Sequence, residues 1–242
     1  MPEIKAIWEG NLSLSNIDWG NFTHPEYKLH SKFDSKVSSF WKKYFKEHPN
    51  DYDGTLLFLY NFEFNNSCLN LNTGTIKFST LVFMSNFNLK VNKGIGMIGV
   101  QCLIFNSQHD LVLAGRRTKN QSYYPGALTL PGGMLELTDL NQDPKVSFMR
   151  EIKEEVDLEF RNPVNLIAII SGWNGISITF LLSTQVDLPV SSYQRLHGDK
   201  DEWEDGLEWM PINDLIKMNQ GEITFLDGLQ YYLILIRKFE IS

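Results

Sequence analysis

Arg150-Glu151-Ile152-Lys153-Glu154-Glu155 lies inside a stretch, 145–156, where Val146, Met149, Ile152, Lys153 and Val156 approximate one face at helical spacing. On a helix, residues three and four apart share a face, so Glu151, Glu154 and Glu155 are expected to project together. Like charges so placed weaken an isolated helix by about 0.2–0.5 kcal/mol per pair and raise one another's pKa unless a cation neutralises them. Hard oxygen ligands suit Mg2+, with Mn2+ as a second choice, over zinc. Taken alone, the run also fits a solvated acidic helix face. Seventeen residues before Arg150, however, Leu130-Pro131-Gly132-Gly133 ends a strand-like segment in two glycines. Backbone without a Cβ can come close to a metal or phosphate, and a main-chain carbonyl there would add a ligand to the carboxylates.

Working outward, 96–105 and 111–115 read as a hairpin, 127–130, 165–171, 176–185 and 207–210 as further strands, and 212–218 and 227–239 as helices. Towards the N-terminus, Val37, Phe40, Trp41, Tyr44 and Phe45 predict a helix near 34–47, stopped by His48-Pro49-Asn50. Segments 55–64, 68–71 and 75–84 read as a three-stranded antiparallel meander, with 85–94 as a polar linker. The expected division is therefore 1–93, a helix plus β-meander subdomain, and 94–242, an α+β domain that would carry the chemistry.

Composition narrows the functional classes. Of 242 residues, 43% are hydrophobic and 21% charged, as in ordinary globular chains. Twenty-two basic residues against 29 acidic give a net charge of −7, which argues against broad binding to nucleic acid or anionic lipid. Cys68 and Cys102 are too few for a disulfide framework, and the first residues show no basic start before an apolar run, so a cytoplasmic protein is expected. No apolar stretch approaches the length of a membrane span.

Several patterns fail on inspection. Gly94-Ile95-Gly96-Met97-Ile98-Gly99 mimics a dinucleotide fingerprint, but a strand follows it where a helix is needed. Asp139, Asn141 and Asp143 begin like a calcium loop, yet Pro144 takes the glycine position and Arg150 the bidentate glutamate position. The five histidines show no metal spacing.

From Gly133 to Leu158 the sequence resembles the Nudix box, G-x5-E-x7-R-E-U-x-E-E-x-G-U with U aliphatic. The segments 113–117, 124–133 and 207–215 are similar to the family's flanking elements, so the likeness covers about 95–220. Two departures stand out. Residues 134–149 number 16 where the pattern has 13, so the box's first glutamate would fall at Asp139, Gln142 or Glu136, and Asp157 replaces the last glycine. The resemblance implies an α/β/α sandwich, here with an added N-terminal β-rich subdomain, and metal-dependent hydrolysis of a nucleoside diphosphate linked to another moiety. It implies Glu151 and Glu155 with the Gly132 carbonyl as principal metal ligands, Glu154 as holder of a second metal or orienter of water, and Arg150 as a structural pin for the glycine loop at Gly133.

The general base varies in the family. Glu202, then Asp201, are the candidates in the acidic loop 197–205, which also fits a merely solvated loop. Arg116 and Arg117 could grip a diphosphate as forks, although strand neighbours face opposite sides. Tyr123, Tyr124 and Trp173 could stack on a base or sugar, or simply pack. The N-terminal layout is similar to that of UDP-glucose-type Nudix diphosphatases, which points to a nucleotide sugar. UDP-glucose, ADP-ribose and dinucleotide polyphosphates stay open as substrates, and monomer and homodimer as states. A Nudix-fold module that binds nucleotide without cleaving it is the alternative function, and the aromatic content of 1–90 also fits an interaction unit.

Overall fold

Strand β5 (Gly96–Phe105) is apolar on both sides because both of its faces are covered. Ile98, Val100, Cys102 and Ile104 point into one core cluster, while Leu103 and Phe105, on the other phase of the pleat, point into a second. The computed structural model describes residues 4–20, 26–49, 51–91, 94–119, 124–156, 158–172, 175–196, 203–218, 224–225 and 227–240.

Around β5 the described elements are β1 (Lys5–Ser13), β2 (Ile17–Trp19), α1 (Asp34–Glu47), β3 (Thr55–Asn65), β4 (Cys68–Lys77) and α2 (Phe78–Asn86). After it come β6 (Leu111–Arg117), β7 (Leu128–Thr129), α3 (Pro144–Glu155), β8 (Asn165–Gly172), β9 (Ser177–Gln185), β10 (Arg195–Leu196), β11 (Trp203–Pro211), α4 (Ile212–Met218) and α5 (Asp227–Glu240). All eleven strands join one mixed sheet in the order β1-β8-β9-β5-β3-β4-β2, with β6 carrying β11, β10 and β7 as a branch. β5 pairs in parallel with β9 along its whole length, from Met97↔Ser177 to Phe105↔Gln185.

Helix α3 covers one face of this sheet through Phe148 and Ile152. Leu215 of α4 and Leu229, Tyr231 and Leu233 of α5 cover the other. This is the expected α+β class, an α/β/α sandwich enlarged by N-terminal strands. Leu57 and Leu59 of β3 enter the α3-side core, whereas Leu56 and Phe58 enter a third cluster with Leu81, Val82 and Met84 of α2 and Tyr44 of α1. Strands from either side of residue 93 therefore pair directly: β3 with β5 and β1 with β8. The N-terminal third extends the sheet of the chemistry-bearing region.

The three-stranded meander needs correction. Cys68–Lys77 is one strand that runs straight through Asn72-Thr73-Gly74, and the apolar run after it is helix α2. A short apolar run has no clear period, so a buried strand and a buried helix look alike in sequence. Asp53 decides the matter, accepting from the Ser79 backbone N–H at 2.8 Å and from its hydroxyl at 2.9 Å, which caps the new helix. The helix runs through Ser85 and Asn86, so the linker expected at 85–94 is shorter. Among the described residues no helix is long and apolar enough to cross a membrane.

Candidate active site

The glycine loop is held as an extra strand segment on the middle of β5. Val100 N–H donates to the Gly133 carbonyl at 2.9 Å, Cys102 N–H to Pro131 at 2.9 Å, and Leu135 N–H to Ile98 at 3.1 Å. Gly132 is required here by the backbone, and Gly133 leaves room for a glutamate side chain. A Cβ on Gly132, whose φ is +147°, would meet the Val100 carbonyl oxygen at 2.0 Å, and one on Gly133 would meet Glu151 Oε2 at 2.0 Å. The loop is thus pressed between the sheet and the first residues of the acidic run.

Helix α3 starts where Asp143 accepts from Lys145 N–H at 2.7 Å and Pro144 occupies the first turn, the position that needs no amide donor. Its buried stripe is Ser147, Phe148, Glu151, Ile152 and Glu155. Two of the three glutamates therefore lie on the apolar face, turned towards the glycine loop. Glu155 accepts from Gly132 N–H at 2.7 Å. Burial pushes the Glu151 carboxyl up to about 7. Arg150 offsets part of that rise, and Glu154 and Asp139 reinforce it.

Glu154 is elsewhere. It is exposed and forks with Arg150, whose Nη1 donates to both of its oxygens at 2.9 Å. The expectation that all three carboxylates converge is met by two. The described residues contain no ready-made cluster of three metal-ligating side chains.

Arg150 binds back to the loop. Its Nε donates to Asp139 Oδ1 at 3.2 Å and its Nη2 to Oδ1 at 3.1 Å and Oδ2 at 2.9 Å, and Nη2 also meets Glu151. Partial burial pulls the guanidinium down, but the bonds to Asp139 and Glu154 outweigh it and its pKa is raised. Of the three candidates for the box's first acid, Asp139 is the arginine's partner. It is fully buried and sits in the middle of a 3-10 turn, Leu137–Asn141. Asp139 is one methylene shorter than glutamate, and the turn, in the lengthened loop, brings it within reach of Arg150. Its second oxygen also accepts from Glu136 N–H at 2.8 Å, and its carbonyl takes the Ser147 hydroxyl at 2.9 Å.

The other candidates scatter. Arg116 donates from Nη1 to the Gly126 carbonyl at 2.8 Å, while Arg117 is buried and registers opposite Trp203 on β11. Tyr124 has a positive φ of 46° and packs against the α1–α2 cluster; burial and then Asp227 push its phenol up to about 12. Glu202, Asp201, Tyr123, Trp173 and Asp157 lie outside the described residues.

Sequence reasoning missed the N-terminal contacts to the loop. Trp19 Nε1 donates to the Gln142 carbonyl at 2.9 Å, the Tyr52 hydroxyl donates to Glu136, and Leu57 N–H donates to Leu135 at 2.8 Å. Nothing local in the sequence signals bonds between residues 123 positions apart.

A family model described as the NUDIX domain matches residues 97–229. Solved structures similar to the chain include the NUDIX domain of Shewanella oneidensis NrtR complexed with ADP ribose, at 19% identity over 61% of this chain and 89% of that one, with a TM-score of 0.42. A MutT protein from Methanosarcina mazei matches at 19% identity over 63% of this chain and 100% of its own, TM-score 0.41. A bifunctional NMN adenylyltransferase/ADP ribose pyrophosphatase from Francisella tularensis, complexed with AMP and a Mn ion, matches at 19% identity over 66% of this chain and 46% of that one, TM-score 0.43. No curated protein matches the sequence.

Proposed function

The chain belongs to the NUDIX family of hydrolases, and on that premise we propose that it is a cytoplasmic, metal-dependent diphosphatase acting on a nucleoside diphosphate sugar such as UDP-glucose or ADP-ribose. The observation that carries the reading is the pair of buried carboxylates, Glu151 and Glu155, set against a two-glycine cradle. A buried carboxyl near neutrality is costly to ionise without a cation, and an all-oxygen donor set fits Mg2+ or Mn2+. Glu151, Glu155 and the Gly132 carbonyl would hold the ion, and Glu154 would join them by leaving Arg150. A bound divalent ion neutralises charge on phosphoryl oxygens and lowers the pKa of a water.

The protein's own contribution is positional. Asp139 and Arg150 fix the approach of helix to loop, and the Gly133 carbonyl, bonded to Val100 N–H, anchors the loop to β5. In the hydrolysis, a water oxygen forms a bond to one phosphorus while the bridging P–O bond breaks. A UDP-sugar would yield UMP and a sugar 1-phosphate. Glu202 is assigned the proton of the attacking water. Arg116, partly exposed beside the Gly126 carbonyl, is assigned to the diphosphate; Arg117, buried opposite Trp203, and Tyr124, packed against the α1–α2 cluster, would reach substrate only by rearranging. Both cysteines are free thiols, in keeping with a reducing compartment.

The test is phosphate release, with added phosphatase, from a panel of nucleotide sugars and dinucleotide polyphosphates in Mg2+ or Mn2+, beside Glu155→Gln and Glu202→Gln. Turnover that the first variant abolishes and the second slows by about a hundredfold or more supports the assignment. The fork that commits Glu154 to Arg150 favours a second reading, a nucleotide-binding module without turnover. It predicts thermal stabilisation by nucleotide and no product from any member of the panel.

A further inference from the structure

The 3-10 turn that carries Asp139 is gripped at both ends by residues outside the matched domain. On its leading side, the Tyr52 hydroxyl donates to the Glu136 carboxylate, and Leu57 N–H donates to the Leu135 carbonyl at 2.8 Å. On its trailing side, the Trp19 indole N–H donates to the Gln142 carbonyl at 2.9 Å, with its ring set edge-on to Phe148 of α3 at 6.0 Å between centroids. From the Tyr52 anchor a relay of polar contacts leads to the acidic helix: Tyr52 to the Glu136 carboxylate, Glu136 N–H to Asp139, Asp139 to Arg150, and Arg150 to Glu151 and Glu154.

We propose that Tyr52 and Trp19 are positioning residues for the acidic helix, and that the N-terminal third serves as an outer clamp on the lengthened loop. The need follows from the sequence. Three additional residues between Gly133 and Arg150 lengthen a segment whose job is to present one carboxylate to the arginine, and that carboxylate is the shorter aspartate. A longer free loop samples more conformations, and ordering it costs conformational entropy unless its ends are fixed by contacts of their own. Tyr52 is well placed for this. Gly54 leaves room for its ring, since a Cβ there would meet Tyr52 Cε2 at 2.7 Å. The next two residues tie the same turn to α2: the Asp53 carboxylate caps Ser79, and the Gly54 carbonyl accepts from Phe78 N–H at 3.0 Å. The clamp thus has a firm base.

The inference rests on Glu151 and Glu155 holding a divalent ion, so its test has one arm that needs no metal. Amide hydrogen exchange of the full chain in chelator is measured for the wild type, Tyr52→Phe, Trp19→Phe, Glu136→Ala and the Tyr52→Phe/Glu136→Ala double variant. Tyr52→Phe and Trp19→Phe each remove one donor and keep the ring. Each is expected to speed exchange across 134–142 by about three- to tenfold while β9 stays at wild-type protection. In the Glu136→Ala background, Tyr52→Phe should add nothing, because the partner is already gone.

The second arm titrates Mn2+ by electron paramagnetic resonance. Tyr52→Phe is expected to weaken binding by roughly threefold, less than the tenfold or more seen for groups bonded directly to a ligand. Unchanged exchange in 134–142, or a uniform rise across the whole sheet, overturns the clamp. So does an undiminished effect of Tyr52→Phe in the double variant. If the wild type takes up no Mn2+ the metal assignment falls, and the exchange arm still decides the clamp by itself.

Discussion

Glu151→Gln should make the metal-free protein more stable at pH 8 and leave it nearly unchanged at pH 4. Burial raises the Glu151 carboxyl from the ordinary 4.5 to about 7, with Arg150 offsetting part of the rise. Below pH 4.5 the folded and unfolded chains both carry the proton, and the group brings no penalty. As pH climbs, the unfolded chain releases its proton first, so stability falls at about 1.4 kcal/mol per pH unit until the folded group also ionises near pH 7. The full loss is about 3 kcal/mol, an order-of-magnitude figure for a carboxylate that keeps some access to water. Glutamine keeps the shape and an acceptor for Arg150 without ionising. The difference in unfolding free energy, variant minus wild type, should therefore rise between pH 4.5 and 7 and level off near 3 kcal/mol. In thermal terms that is roughly 6–12 °C for a chain of this size. Urea unfolding of both proteins in chelator, from pH 4 to 9, measures the curve directly. A flat difference, or a variant less stable than wild type at pH 8, would refute the claim that this carboxylate is held at a cost. Adding Mn2+ should reverse the order, because an ion that binds the folded state stabilises the wild type more than the variant.

Three further substitutions probe the same architecture. Asp139→Ala removes a buried acceptor of three arginine bonds and should cost roughly 3 kcal/mol by chemical denaturation. Gly132→Ala, at φ +147° with its methyl group driven into the Val100 carbonyl oxygen, should destabilise by about 1–3 kcal/mol and weaken Mn2+ binding by at least about tenfold in a calorimetric titration. Asp53→Ala removes the α2 cap and should lower stability by about 1 kcal/mol, read as a shift in urea midpoint without a change in slope.

The acidic helix was legible because its cues are local, the helical spacing over 145–156 and the run from Arg150 to Glu155. Its face was not, for the buried stripe is Ser147, Phe148, Glu151, Ile152 and Glu155, and Val146, expected inside, is half exposed because the glutamates take the side turned to the glycine loop. The paired strands β8 and β9 were legible for the same reason, being apolar runs of strand length between turn signals. The N-terminal strands β1 and β2 were not. β1 buries little of either face and gains its place from backbone pairing with β8, which leaves no alternation to read. Helix α2 was hidden by a run that is apolar all round, since helical and strand periods both vanish when every side is covered.

At the site, spacing alone put three glutamates on one face, and packing divided them. Residues at i, i+3 and i+4 span a wide arc of helix surface. Phe148 and Ile152 pull the centre of that arc into the core, taking Glu151 and Glu155 with them and leaving Glu154 at the rim beside Arg150. The same division explains why the arginine belongs in the run. Arg150 is the group that both buried and exposed carboxylates share, so it can neutralise part of Glu151 while it holds Asp139. Were an ion to occupy the buried pair, as proposed above, the charge that Arg150 balances would change, and Glu154 is the one member of the trio exposed enough to move in response.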